Sequence, residues 1–258
     1  MLSKDELFDV SGRVAVVTGA AGTLGYAFAE ALASRGAKVF LTDRRAEDLR
    51  KVALDLSGKG LNVDWLEADL TREEDVDRAF NKCESTLGHP NVLVNSIGDS
   101  IYKPTLDLSL AEWNRVLNVN LTAAFLCSKR AAKSMIEASI RGKIIHIASI
   151  YGLRADRFPI AAYYSSKAGL VNLTKALAVE WARYGINVNA IAPSFFASRL
   201  TKVILEDTKS REHLLNHTPL RRLAEPQDLV GALIFLASPA SDYVTGQVIV
   251  VDGGWSSW

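Results

Sequence analysis

The chain is short of several things, and each shortage closes off a class of function. Only two of its 258 residues are cysteine, Cys83 and Cys127, and they form no metal-ligand spacing. Reduced thiols of an intracellular protein are the simple expectation. Charge of one sign is equally scarce: 30 Lys and Arg stand against 29 Asp and Glu, for a net charge of +1. That balance offers no field for a nucleic acid or a membrane surface. Long hydrophobic runs are missing too. The longest, such as "VGALIFLA", fall far short of the ~20 residues a membrane span needs. The first residues, "MLSKDELFDVSG", contain no apolar signal core, so a soluble cytoplasmic protein is expected. No linker, repeat or low-complexity segment interrupts the sequence, which implies one domain over residues 1–258.

What is present is alternation. Short β-branched runs read as strands at 13–18, 38–43, 62–69, 91–96, 142–149 and 186–193, with a last one in "QVIVVDGG". The stretches between them read as amphipathic helices. These include 23–36, a long helix over about 109–138, another over about 161–184, and "PQDLVGALIFLAS". Region 197–217 reads as helical but irregular. Near-continuous apolar strands joined by helices imply a parallel sheet covered on both faces. With right-handed crossovers this becomes a single Rossmann-like, doubly wound α/β domain with a seven-stranded parallel sheet.

Ligands in such a sheet sit at the carboxyl ends of the strands. Residues 18–25, "TGAAGTLG", lie there, between the first strand and the first long helix. Backbone N–H groups and the helix dipole at this point suit a pyrophosphate. The glycines Gly19, Gly22 and Gly25 depart from the G-x-G-x-x-G spacing, and a tight turn needs glycine anyway. Thr23 falls at the expected helix start, where its hydroxyl would cap the helix or bond a phosphate oxygen. Asp43 ends the second strand, 24 residues beyond Gly19. It is placed either as a helix cap or to accept bonds from both ribose hydroxyls, which favours NAD over NADP. Arg44 and Arg45 follow it, and an arginine there suits a 2′-phosphate, so NADP is the less favoured choice. Asp69 and Asn95 carry polar tips at the same edge.

The most specific pattern is "AAYYSSKAGL". Tyr163 and Lys167 are four apart on a helix and share a face. A fixed ammonium and a charged nicotinamide both favour the phenolate, making Tyr163 a general base for an alcohol proton, or the acid in reverse. Ser149 ends a strand in "IIHIASIYG", and Asn120 lies inside the long helix 109–138. Together with "NSIG" (95–98), "VNL" (119–121), "INVNAIAPSF" and "YVTGQVIVVDGG", these motifs resemble the classical short-chain dehydrogenase/reductase family along nearly the whole chain. Within it, the chain is similar to sugar, polyol or gluconate-type dehydrogenases.

The resemblance implies a catalytic set of Asn120, Ser149, Tyr163 and Lys167. Tyr163 would transfer the proton, Lys167 would lower its pKa and bond the nicotinamide ribose, and Ser149 would polarise the carbonyl. Asn120 would hold a relay water. The cofactor would rest on Gly19, Gly22, Thr23, Leu24, Gly25, Asp43, Arg44, Asp69, Leu70, Asn95 and Gly98. Beyond the sixth strand it would meet Pro193, Ser194, Phe196 and Ser198. The dinucleotide part would span about 10–145, with a substrate-covering segment over about 195–217. Three departures stand out: Thr23 in place of a usual glycine, Ser194 in place of the glycine after proline, and a Ser149–Tyr163 separation of 14 where 13 is common.

Arg154, Arg157 and Arg199, with Ser149 and Tyr163, are the candidate substrate contacts; the arginines equally suit solvent or another subunit. A polar small molecule, such as a sugar, polyol or sugar acid, is the expected substrate. The alternatives are an NADPH-dependent 3-oxoacyl reductase and a catalytically silent nucleotide-binding scaffold. A homotetramer is the family expectation. His213 and His217, four apart, lack the glutamate and third ligand of a zinc site, so no metal is expected. His146 reads as a satisfied core histidine. Trp255 and Trp258 suit a subunit contact, a neighbouring active site or core packing.

Overall fold

Along β1 (Val14–Thr18) successive side chains turn to opposite faces, as the period of two in a strand requires. Every one of them is buried. Ala15 and Val17 enter one core cluster, Val14 and Val16 the other. An unbroken apolar run is therefore a strand covered on both sides. β2 (Lys38–Asp43), β4 (Val92–Asn95), β5 (Gly142–Ile147) and β6 (Ile186–Pro193) repeat the pattern. β3 (Val63–Glu67) and β7 (Val248–Val251) are only partly buried, because they form the sheet edges. This computed structural model describes residues 4–257. All seven strands pair in parallel in the order β3-β2-β1-β4-β5-β6-β7.

After a short α1 (Lys4–Leu7), the helices divide between the two faces. α2 (Thr23–Ala33) and α3 (Ala46–Gly58) pack on one face, where the later α10 (Pro226–Ala237) joins them. α4 (Glu73–Thr86), α6 (Ala123–Glu137) and α7 (Ala161–Trp181) cover the other. The expected helix over 109–138 is broken. A capping box, Ser109 with Glu112, starts α5 (Leu110–Leu117), and a π-helical turn, Asn118–Thr122, separates it from α6. π turns of this kind recur at functional sites, and this one carries Asn120. The irregular region resolves into α8 (Lys202–Glu206) and α9 (Thr208–His217). β3 and β5 each stop two residues before the expected ends, because Asp69 and Ser149 already belong to the loops above the sheet.

The strand order reverses between β1 and β4, so no crossover fills the crevice above their carboxyl ends. Register aligns Thr18 with Thr42 and Asn95, bringing Gly19, Asp43 and Ser96 to one edge. Thr18 stitches β1 to β4 below it: its hydroxyl donates to the Val94 carbonyl at 3.3 Å and accepts from Ser96 N at 3.1 Å. A third apolar cluster, with Tyr151, Phe158, Phe195 and Trp255, sits above the sheet. Trp255 is 1% exposed, so core packing accounts for it. Trp258 lies outside the described residues. Cys83 and Cys127 are buried free thiols, each pushed up to about 12 by burial, and neither is poised to react. Among the described residues no helix is long and apolar enough to cross a membrane.

Candidate active site

The turn from β1 into α2 works only with glycine at two points. Gly19 has φ +65°, and a Cβ on it would lie 2.8 Å from the Ser96 carbonyl oxygen. Gly25 lies in the first turn of α2, where a Cβ would sit 2.8 Å from the Ala20 Cα. Gly22 is the residue that starts the helix, with φ −87° and no side-chain cap. Thr23 is the first helical residue and exposed, so it does not cap α2, and it is absent from the groove lining. The N-terminus of α2 has no side-chain cap, and Gly22, Leu24 and Gly25 bring it to the groove wall.

That groove runs along the strand ends. Gly19, Gly22, Leu24 and Gly25 line its start. Asp43 and Arg44 line it after β2, Asp69 and Leu70 after β3, and Gly98 after β4. Asn95 does not line it. Its amide turns below the sheet edge and donates to Ser128 Oγ at 3.1 Å and the Ala124 carbonyl at 3.4 Å. Ser96 and Ile97 take the place expected of it. Asp69 accepts from Thr71 N at 3.1 Å and Thr71 Oγ1 at 2.8 Å, which fixes the loop after β3.

Asp43 is buried and not a helix cap. One carboxylate oxygen accepts from Arg45 N at 3.0 Å and Arg45 Nε at 3.1 Å. The other accepts from Ala21 N at 3.2 Å and Arg45 Nη2 at 3.1 Å. This bidentate pair neutralises the acid at the point where a ribose would be read. No feature of the sequence announced that Arg45, rather than Arg44, folds back on Asp43.

At the far end of the groove stand Tyr163 and Lys167, on one face of α7. Lys167 is 3% exposed and its Nζ donates to the Ile147 carbonyl at 2.7 Å. Burial pushes the ammonium down to about 8. Its Nζ lies 5.7 Å from the centre of the Tyr163 ring. Tyr163 and Ser149 line one cavity. Burial raises the phenol, and the neighbouring Ser149 hydroxyl pulls against that rise. Burial thus disfavours the charged form of both groups. Ser149 also accepts from Tyr151 N at 3.1 Å, which holds its side chain over the strand end.

Asn120 is buried and its amide is occupied. It accepts from Asp99 N at 2.7 Å and donates to the Asp99 carbonyl at 2.9 Å and to Ser166 Oγ at 2.8 Å. The π turn thereby ties the loop after β4 to α7, one residue from Lys167.

A second, narrow cavity of about 80 Å³ opens beside Ser149 and Tyr163. Pro193, Phe196 and Ser198 line both spaces, whereas Ser194, expected at the cofactor, lines only this one and stands outside the groove. The three arginines expected at the substrate lie elsewhere. Arg154 Nη1 donates to the Trp255 carbonyl at 3.3 Å. Arg157 lies over the Phe158 ring and donates to the Lys209 carbonyl at 3.4 Å. Arg199 lines the long groove. Tyr164 is a fastener: its hydroxyl donates to the Asp156 carbonyl at 3.1 Å. Asp156 also receives Tyr151 Oη at 2.8 Å and sits 3.4 Å from His213 Nε2. His213 and His217 stack at 5.8 Å and pack on Trp255 after β7, while His213 also meets Phe158, joining α9 to the loop after β5. His146 bonds Ser128 and Thr174 at 2.9 Å each, and burial pushes it down to about 3, so it is a neutral core residue.

Residues 19–256 match a family described as enoyl-(acyl carrier protein) reductase. Gluconate 5-dehydrogenase of Gluconobacter oxydans is 35% identical over 98% of this chain and 98% of that protein. 2-Dehydro-3-deoxy-D-gluconate 5-dehydrogenase of Formosa agariphila is 36% identical over 96% of this chain and 94% of its own length. Among solved structures, a gluconate 5-dehydrogenase from Burkholderia cenocepacia in complex with NADP and tartrate superimposes with a TM-score of 0.93. It shares 34% identity, with 98% of each chain covered.

Proposed function

The chain belongs to the short-chain dehydrogenase/reductase family and is an NAD(P)-dependent oxidoreductase acting on CH–OH groups, and from this premise we propose that it interconverts a secondary hydroxyl and a ketone on a sugar acid of the gluconate type. The observation that carries the reading is the junction of two spaces at Tyr163, with Ser149 on the small-cavity side. A long groove with a glycine-walled start meets a small hydroxyl-lined cavity there.

The groove fits a dinucleotide. The open N-terminus of α2 faces the diphosphate position, and Asp43 stands one strand away for the adenosine ribose. When bound, the nicotinamide supplies the hydride donor or acceptor. The chain's residues do the rest. Ser149 holds the reacting oxygen by hydrogen bonding, and Tyr163 Oη gives or takes the proton. Lys167 supports the phenolate electrostatically from the same helix face. Asn120 holds Asp99 and Ser166, and so fixes the loop after β4 against α7 beside the lysine.

The cofactor reading rests on Asp43 and its neighbours. A free carboxylate here would repel a 2′-phosphate, but Arg45 compensates that charge, and Arg44 adds a second cation at the groove. The chain therefore accepts both NAD and NADP, and NAD requires Arg45 to release Asp43. Exposed apolar residues on α5 to α7, such as Leu110, Phe125 and Val179, suit packing into a homotetramer. Light scattering that gives a monomer mass would contradict that assembly.

Initial rates with NAD(H) and NADP(H) on gluconate, 5-ketogluconate, related keto-deoxy acids, polyols and an acetoacetyl thioester test the proposal. Turnover of a sugar acid is the expected result. Turnover of the thioester alone would mean a 3-oxoacyl reductase. Tight cofactor binding with no turnover across the panel would mean a silent scaffold.

A further inference from the structure

The hydroxyls around the small cavity are not equivalent. Ser149 accepts from Tyr151 N at 3.1 Å and stands with Tyr163 as the pair that would hold the reacting oxygen. Ser198 and Thr201 satisfy each other at 3.1 Å, and Thr201 also donates to the Phe196 carbonyl at 2.6 Å. Two hydroxyls remain. Ser194 and Ser100 both line the cavity, and neither side chain has a hydrogen-bond partner among the described residues. Their backbones are fixed: Ser194 N donates to the Val251 carbonyl at 3.2 Å, and Ser100 N to Asp99 Oδ1 at 2.9 Å.

Topology gives these two groups their meaning. Ser149 follows β5, Ser194 follows β6, and Ser100 lies in the loop after β4. β5 lies between β4 and β6 in the sheet. The two free hydroxyls therefore come from the strand-end segments on either side of the one that carries Ser149, and all three line one cavity. Among the described residues no charged side chain lines the cavity; the other walls include Ile150, Phe195 and Ile204. A carboxylate has no cation to meet here, whereas neighbouring hydroxyls have two unspent partners. Ser194 also stands where the family pattern has glycine, so its hydroxyl is an addition at this position.

We propose that Ser194, together with Ser100, is a specificity-determining residue that hydrogen-bonds the substrate hydroxyls flanking the reacting carbon. The carboxylate end of the sugar acid then lies outside this cavity. The inference rests on the sugar-acid reading and deepens it. Each lost neutral hydrogen bond corresponds to roughly a fivefold effect.

The test compares S194A, S194G and S100A on 5-ketogluconate and on 2-hexanone, a ketone without hydroxyls, with NADPH affinity measured separately by fluorescence. S194A and S194G should each raise KM for the hydroxylated substrate about fivefold. The S100A/S194A double variant should raise it about 25-fold. Efficiency on 2-hexanone and NADPH affinity should stay within about twofold of wild type. Unchanged KM for 5-ketogluconate, or an equal loss on both ketones, would overturn the proposal. S194G restores the family residue, so a folding defect confined to S194A is exposed by comparison. If wild-type protein binds NADPH but reduces no hydroxylated ketone, the functional reading falls, and this inference falls with it. Turnover of 5-ketogluconate with no variant effect removes this inference alone.

Discussion

Replacing Lys167 with methionine is expected to remove activity while leaving the cofactor-free protein about as stable at pH 7. The ammonium is 3% exposed, and burial lowers it from 10.5 to about 8. At ~1.4 kcal/mol for each pH unit, holding the charged form in the folded state costs about 3 kcal/mol at pH 7. Its bond to the Ile147 carbonyl returns ~1.5–3 kcal/mol. The two terms nearly cancel, so K167M should lie within about 2 kcal/mol of wild type. The pH dependence is sharper. Between pH 8 and 10.5 the unfolded chain still binds the lysine proton and the folded chain has lost it. Wild-type stability relative to K167M should therefore climb by about 3 kcal/mol across that window and be level below it. Urea unfolding of both proteins without cofactor, followed by circular dichroism at pH 7, 8, 9 and 10, measures the difference directly. Other titrating groups are common to both proteins and largely cancel. A flat difference from pH 8 to 10 would show that the buried lysine carries no desolvation penalty. A K167M protein destabilised by more than about 3 kcal/mol at pH 7 would refute the balance drawn here.

Tyr163→Phe should lower kcat by at least ~10³-fold while NADPH still binds, because only the proton-transferring oxygen is lost; near wild-type turnover would remove Tyr163 from the chemistry. Gly25→Ala should abolish cofactor binding in equilibrium titrations, since its Cβ would meet Ala20 Cα at 2.8 Å, and retained affinity would mean that the diphosphate lies elsewhere. Arg45→Ala frees Asp43 and should shift the kcat/KM ratio toward NAD at least ~5-fold, with an unchanged ratio arguing that the Asp43–Arg45 pair plays no part in cofactor choice. Arg199→Ala should weaken ADP-ribose binding several-fold and leave the sugar-acid KM nearly unchanged, because Arg199 lines the groove and not the small cavity; the reverse pattern would return it to the substrate.

The seven strands, the doubly wound arrangement and the Tyr163–Lys167 pair were legible because each is a local signal. Strands covered on both faces must be apolar throughout, and two residues four apart on a helix must share a face. The motif order carried the family resemblance for the same reason: spacing along the chain survives without knowledge of contacts. What the sequence could not contain was direction and partnership. Thr23 looked like a helix cap, yet the chain enters α2 one residue earlier, at Gly22. Asn95 sat at the right strand end, yet β4 turns its amide toward α6 and away from the groove. Asp43 reads as a helix cap or a ribose acceptor, whereas folding closes Arg45 over it through a contact two residues away that no periodicity encodes. Arg154 and Arg157 were near Ser149 in sequence, and the loop after β5 spends both on carbonyls, at Trp255 and Lys209. The long helix through Asn120 hides a π turn, because hydrophobic spacing over 109–138 is blind to one residue of slippage in the backbone ladder. Sequence alone determined which elements form and which reactive groups the chain owns. Only the tertiary structure decided which of those groups already have partners and which remain free, because that depends on side chains meeting from strands far apart in the chain.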